Sequence, residues 1–117
     1  MKIKHILKTK EFADILGSGE RTRGKTLAVY VRREKSAEDS LAIGVVVSKK
    51  FVPKAVTRNY IRRVIYASFR ESGFSPEGGV SIIARAIRTL GRDGKKSLSK
   101  EIRAEIKTLT SRAGIGR

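Results

Sequence analysis

The 117-residue chain carries 27 lysines and arginines against 11 aspartates and glutamates, a formal charge of +16, with 39% hydrophobic residues and no cysteine. This excludes a disulfide scaffold, a thiolate metal site and a cysteine nucleophile, and no run approaches the roughly 20 apolar residues needed to span a bilayer. Self-repulsion of this size weakens a compact state, so the composition points to a polyanionic partner, nucleic acid first.

A chain of this length fits one domain with a real core. No repeat or long linker divides it, so residues 1–117 are expected to form a single domain with a frayed tail over 113–117. Residues 1–10 are interrupted by lysines and His5 rather than forming an apolar signal segment, which predicts that the chain stays in the cytoplasm. Turn-like breaks fall at 17–19, 37–40, 75–79 and 91–94.

In chain order, Thr9 can cap a short helix that sets Phe12, Ile15 and Leu16 on one side, with Gly17 as its stop. Residues 26–33 alternate as a strand does, Leu27, Val29 and Val31 on one face and Ala28, Tyr30 and Arg32 on the other. Residues 41–48 repeat the pattern: Leu41, Ile43, Val45 and Val47 share a face, opposite the mostly small Ala42, Gly44 and Val46. If the bulky faces meet the core, the second face presents Tyr30 above a shallow floor of Ala28, Ala42 and Gly44, a candidate groove. A third strand is predicted over 80–85. A last helix over 97–112 gathers Leu98, Ile102, Ile106 and Leu109 into one stripe. The order helix, strand, strand, helix, strand, helix predicts an α+β, split βαβ layout with helices packed on a small sheet.

The strongest helix signal lies over 53–72, with Pro53 at its start and Gly73 at its stop. At 100° per residue Ile61, Val64, Ile65, Ser68 and Phe69 share one face, and Asn59, Arg62, Arg63, Tyr66 and Arg70 the opposite one. From residue 40 to 70 there is no aspartate or glutamate, yet Lys49, Lys50, Lys54, Arg58, Arg62, Arg63 and Arg70 all lie there. A merely solvated helix mixes signs to gain pairs one turn apart. Arginine bonds phosphate oxygens in pairs and stacks on bases, while lysine supplies point charge. Asn59 can reach a base edge, a 2′-hydroxyl or a metal-bound water, and Phe12, Tyr30, Tyr60 and Tyr66 can stack on unpaired bases.

The runs Ile43-Gly44-Val45-Val46-Val47-Ser48-Lys49-Lys50, Lys54-Ala55-Val56-Thr57-Arg58-Asn59-Tyr60-Ile61-Arg62-Arg63 and Phe69-Arg70 together resemble the protein subunits of bacterial ribonuclease P. The resemblance implies a ribonucleoprotein endonuclease that removes the 5′ leader of precursor tRNA, in which the RNA subunit holds the catalytic magnesium ions. It implies that Lys54, Arg58, Asn59, Arg62 and Arg63 face that RNA, and the acid-free charge pattern makes Lys49, Lys50 and Arg70 RNA-binding candidates beside them. It also implies a leader-binding cleft at Phe12, Tyr30, Ala28 and Arg85. No catalytic or metal-ligating side chain, small-molecule substrate or membrane is expected of this chain. The implied fold is a mostly antiparallel sheet with a left-handed βαβ crossover, like that of a ribosomal-protein second domain. Two positions depart from the family pattern: Tyr60 stands where a second arginine is usual, and Tyr66 at an often basic position. Leu16 replaces a second aromatic one turn after Phe12.

Three rival readings remain at this stage. A ribosomal or other structural RNA-binding protein fits the charge and fold equally well. A stand-alone nuclease needs a carboxylate cluster or a histidine with a carboxylate, and the only histidine is His5. Membrane attachment through the basic helix needs exposed bulky apolar residues in place of its arginines.

Overall fold

A computed structural model of the chain describes residues 2–5, 9–34, 40–71, 79–90 and 95–113. Over these residues the order is β1 (Lys2–His5), α1 (Thr9–Ser18), β2 (Glu20–Arg23), β3 (Leu27–Glu34), β4 (Ser40–Val46), α2 (Ala55–Glu71), β5 (Gly79–Ala86) and α3 (Lys95–Arg112). The strands form one sheet in the order β1-β4-β5-β3-β2. The turns expected at 37–40, 75–79 and 91–94, the stop at Gly73 and the tail after 113 fall wholly or largely outside the described residues.

The architecture is α+β, as the element order predicts, with two short edge strands added. The sheet is mixed rather than mostly antiparallel: β3 pairs antiparallel with β5 and β2 with β3, but β4 runs parallel to both β5 and β1. The reason is the connection through α2, which carries the chain back so that β5 runs beside β4 in the same direction. β5 then occupies the slot between β4 and β3. What is split is the β3–β4 pair, while the βαβ unit itself has adjacent strands.

Alternation sorts the two faces of the sheet. Leu27, Val29 and Val31 of β3, Leu41, Ile43 and Val45 of β4, and Val80, Ile82 and Ala84 of β5 join one core cluster with α2 and α3. From α2 this cluster receives Ile61, Val64, Ile65 and Phe69, and from α3 Leu98, Ile102, Ile106 and Leu109. Burying side chains of this size stabilises by about 1.5–3 kcal/mol each, so these two stripes hold both helices on the sheet. At the helix–helix seam, the Arg103 guanidinium of α3 donates to the Glu71 carboxylate of α2.

The opposite face is covered by α1, which rests on β3 and β5. Ile15 is its anchor, buried with Ala28, Tyr30 and Ile83, and Phe12 and Leu16 are half-buried around it. The helix does not stop at Gly17 but runs to Ser18. Its end is closed by Gly19, whose N–H donates to the Ile15 carbonyl at 2.7 Å. A side chain at Gly19 would come within 2.6 Å of that carbonyl oxygen and 3.3 Å of the Val31 carbonyl, so the close approach of helix end and β3 needs glycine there.

Candidate nucleic-acid interface

Helix α2 turns inward the residues its period predicts: Ile61, Val64, Ile65, Ser68 and Phe69 are buried. Ser68 does so without an unpaired hydroxyl, because its Oγ donates to the Val64 carbonyl at 2.7 Å. On the other side Asn59, Arg63 and Arg70 are exposed and Arg62 is half-buried. The first turn of α2 has no acidic residue, and Lys54 and Arg58 flank it. Cations at the positive end of a helix dipole are the reverse of what stability asks, so the helix itself does not account for their placement.

The loop between β4 and α2 is held from within. Ser48 O accepts from the N–H groups of Phe51 at 3.2 Å and Val52 at 3.0 Å, and the Val52 side chain is buried. The Arg58 guanidinium reaches back from the helix, its Nη1 donating to the carbonyls of Val52 at 3.0 Å and Pro53 at 2.8 Å. With the backbone so tied, Lys49, Lys50 and Lys54 project into solvent, and Lys50 Nζ sits 5.6 Å from the centre of the Phe51 ring. Arg58 therefore faces the loop and helps to shape the surface on which the three lysines stand.

Arg62 Nη1 donates to Asn59 Oδ1 at 3.0 Å, one turn away. The amide oxygen of Asn59 is thus engaged and its amino group is left as the outward donor, a group suited to phosphate, 2′-hydroxyl or base acceptors. Tyr60 and Tyr66 are half-buried and pack against the main core, so neither ring is fully presented. Burial raises the Tyr66 phenol above its ordinary range, and the Arg62 charge offsets this in part.

The expected groove is narrower than its residues suggest. Ala28 is fully buried and Tyr30 only 9% exposed, because α1 lies over them; Ala28 is therefore sealed from any ligand and Tyr30 nearly so. What stays open is the strip beside α1, where Phe12 and Leu16 flank the half-buried Ala42 and Val46. Arg85 is exposed at this strip, paired across the sheet with Val46 on one side and Ala28 on the other. His5 lies in β1, in register with Ile43 of β4.

One acid has a structural post that the sequence does not announce. Glu105 of α3 accepts from the Thr26 and Leu27 N–H groups, both at 2.8 Å, and from Thr26 Oγ1 at 2.5 Å. This clamps the β2–β3 turn to α3, and Gly24 leaves the space the carboxylate enters.

Among the described residues no three His, Cys, Asp or Glu side chains gather as a metal site, and no helix is long and apolar enough to cross a membrane. An α+β domain that offers a helix without an acid from 55 to 70 and a hydrogen-bonded lysine loop has the features of a small RNA-binding domain. The model of the Ribonuclease P family matches residues 1–112, and the chain belongs to that family. It is 32% identical to the ribonuclease P protein component of Clostridioides difficile strain 630, over 97% of this chain and 95% of that one. The corresponding protein of Shouchella clausii is 30% identical, over 97% and 88%. Among solved structures, the RNase P protein of Staphylococcus aureus superposes with a TM-score of 0.78 at 26% identity, covering 97% of both chains. That of Thermotoga maritima gives 0.67 at 25% identity, covering 93% of this chain and 96% of that one. Its role is that of a ribonuclease P protein component, in tRNA 5′ processing. The reading as a ribosomal or other structural RNA-binding protein rested on charge and fold alone, and these matches favour ribonuclease P over it.

Proposed function

We propose that the chain binds the RNA subunit of ribonuclease P through α2 and the 49–54 loop, and the single-stranded 5′ leader of precursor tRNA along the strip beside α1. Cleavage is performed by the RNA and not by side chains of this protein. The observation that carries the reading is the placement of the acid-free stretch: from α2 it turns Ile61, Val64, Ile65 and Phe69 into the core, while Lys49, Lys50, Lys54, Asn59, Arg63 and Arg70 are exposed along the same run of chain. No ion pair to a described acid occupies the lysines and arginines of that run.

Magnesium ions held chiefly by the RNA supply the chemistry of strand cleavage. This chain is poorly suited to hold them, since its interface offers cations and an Asn59 oxygen already bonded to Arg62. Its contribution is to lower the repulsion among phosphates that crowd around the ions. Arg62→Ala combined with Arg63→Ala raises the magnesium concentration needed for half-maximal leader removal by the reconstituted enzyme. An unchanged requirement refutes the screening role.

At the strip, the half-buried Phe12 offers its ring for stacking and the exposed Arg85 a cation for the leader backbone. Contacts made to the leader alone distinguish precursor from mature tRNA. Phe12→Ala with Arg85→Ala therefore weakens precursor binding to the holoenzyme and leaves mature tRNA binding unchanged; equal loss for both contradicts the assignment.

A further inference from the structure

The cationic surface does not end at α2. The C-terminal ends of β4 and β5 and the N-terminal end of β3 meet at one edge of the sheet, as the pairs Val46–Arg85 and Leu27–Ala86 fix. From that edge β4 runs into the lysine loop, β5 into residues 87–90, and β3 is entered from the β2–β3 turn. The Ile87 N–H donates to the Thr26 carbonyl at 2.9 Å, tying the last two together. With strands about 4.8 Å apart, β4 and β3 are separated by only about 10 Å there.

Beyond β3 on this edge opens a cleft between the β2–β3 turn and α3, whose lining includes Arg23, Lys25, Arg88, Arg112, Glu101 and Glu105. All four cations are exposed, and none is ion-paired with a described acid. Glu105 is spent on Thr26 and Leu27, so Glu101 is the one carboxylate of the lining left to oppose them. Helix-dipole stabilisation accounts for Arg112 in the last turn of α3. It does not account for Arg23, Lys25 and Arg88, which come from two other segments of chain, the β2–β3 turn and the stretch after β5.

We propose that this cleft is a second RNA contact, which takes a length of phosphodiester backbone and extends the interface from α2 around the strand ends to α3. The clamp is what makes the site: Glu105 fixes the turn that carries Lys25 and at the same time withdraws its own charge from the cleft. Continuity with the lysine loop favours nucleic acid over an acidic protein, because a single backbone can pass from one cluster to the other. The proposal rests on the reading of α2 as an RNA-binding face, and its test separates the two.

The triple variant Lys25→Ala, Arg88→Ala, Arg112→Ala is compared with the wild-type chain and with Arg62→Ala, Arg63→Ala. Two bindings are measured between 50 and 200 mM salt, that of the chain to ribonuclease P RNA and that of precursor tRNA to the assembled holoenzyme. Each lost phosphate contact lowers the log–log salt slope by about 0.7–0.9. The triple variant is expected to lose about 2–3 in slope and at least tenfold in affinity at 50 mM, with a melting temperature lowered by no more than about 1–4 °C, the share of Arg112 in the helix dipole. The arm that shows the loss tells which RNA occupies the cleft. If the triple variant binds both RNAs as wild type while the α2 variant is impaired, the cleft is not a contact and the proposal is overturned. If both variants bind as wild type, the reading of α2 falls with it.

Discussion

Arg58 belongs to the motif by which the family resemblance was first drawn, yet its guanidinium points back at its own chain. Replacing it by alanine removes two charge-assisted hydrogen bonds, to the carbonyls of Val52 at 3.0 Å and Pro53 at 2.8 Å. A hydrogen bond from a charged donor contributes about 1.5–3 kcal/mol when sheltered. The Pro53 bond is exposed and the Val52 bond only part-buried, so the pair together is worth about 1–2 kcal/mol. At about 2.1 cal/mol/K per residue, unfolding this chain carries roughly 0.25 kcal/mol/K of entropy, and the loss converts to about 4–8 °C in melting temperature. The assay is thermal unfolding of the free chain, followed by a salt titration of its binding to ribonuclease P RNA. Arg58→Ala melts early, and its salt slope stays within about half of one phosphate contact of wild type. Arg58→Lys does not fully restore the melting temperature, because the lysine side chain is one atom shorter and its ammonium falls short of the point where Nη1 meets both carbonyls. Wild-type melting together with a slope lower by one full contact would show that Arg58 is an RNA ligand and that the loop is held by something else.

Three further outcomes follow from the packing. Glu105→Ala strips the partner from the Thr26 and Leu27 N–H groups, of which the Leu27 residue is fully buried; it costs about 2–4 kcal/mol, read as a fall in urea midpoint with an unchanged m-value. Phe69→Ala, at a position 1% exposed, costs about 3–5 kcal/mol, enough to leave a large unfolded fraction in a domain of ordinary stability. The Tyr66 phenol ionises above its ordinary value of 10.0, visible as a late component in an ultraviolet alkaline titration. Because its folded value is the higher one, the stability it contributes is whole below pH 10 and is lost as pH rises through the folded value. Tyr66→Phe lessens that alkaline loss.

Much of this was legible in the residues for a physical reason. Helix α2 is 17 residues long, so its 3.6-residue period repeats often enough to identify all five inward positions. The faces of β3 and β4 were equally plain, since bulky aliphatic residues recur at every second position in each. The edge strands were not. β2 reads Glu-Arg-Thr-Arg and pairs only with β3, and a strand with one neighbour and no apolar face leaves no period to read. The slot of β5 between β4 and β3 is likewise a property of pairing across the sheet, invisible in any one segment. At the candidate site, the pattern found the cations but not their directions. It could not tell that Arg58 turns toward Val52 and Pro53, that α1 closes over Ala28 and Tyr30, or that Glu105 reaches a turn 79 residues away in sequence.

The measurement closest to the central claim is leader removal from precursor tRNA by ribonuclease P RNA at low magnesium, with and without the purified chain. A face that screens RNA phosphates and a strip that holds the leader predict that adding the chain speeds cleavage, and that the gain shrinks as magnesium is raised. Equal rates with and without the chain at every magnesium concentration would contradict the account.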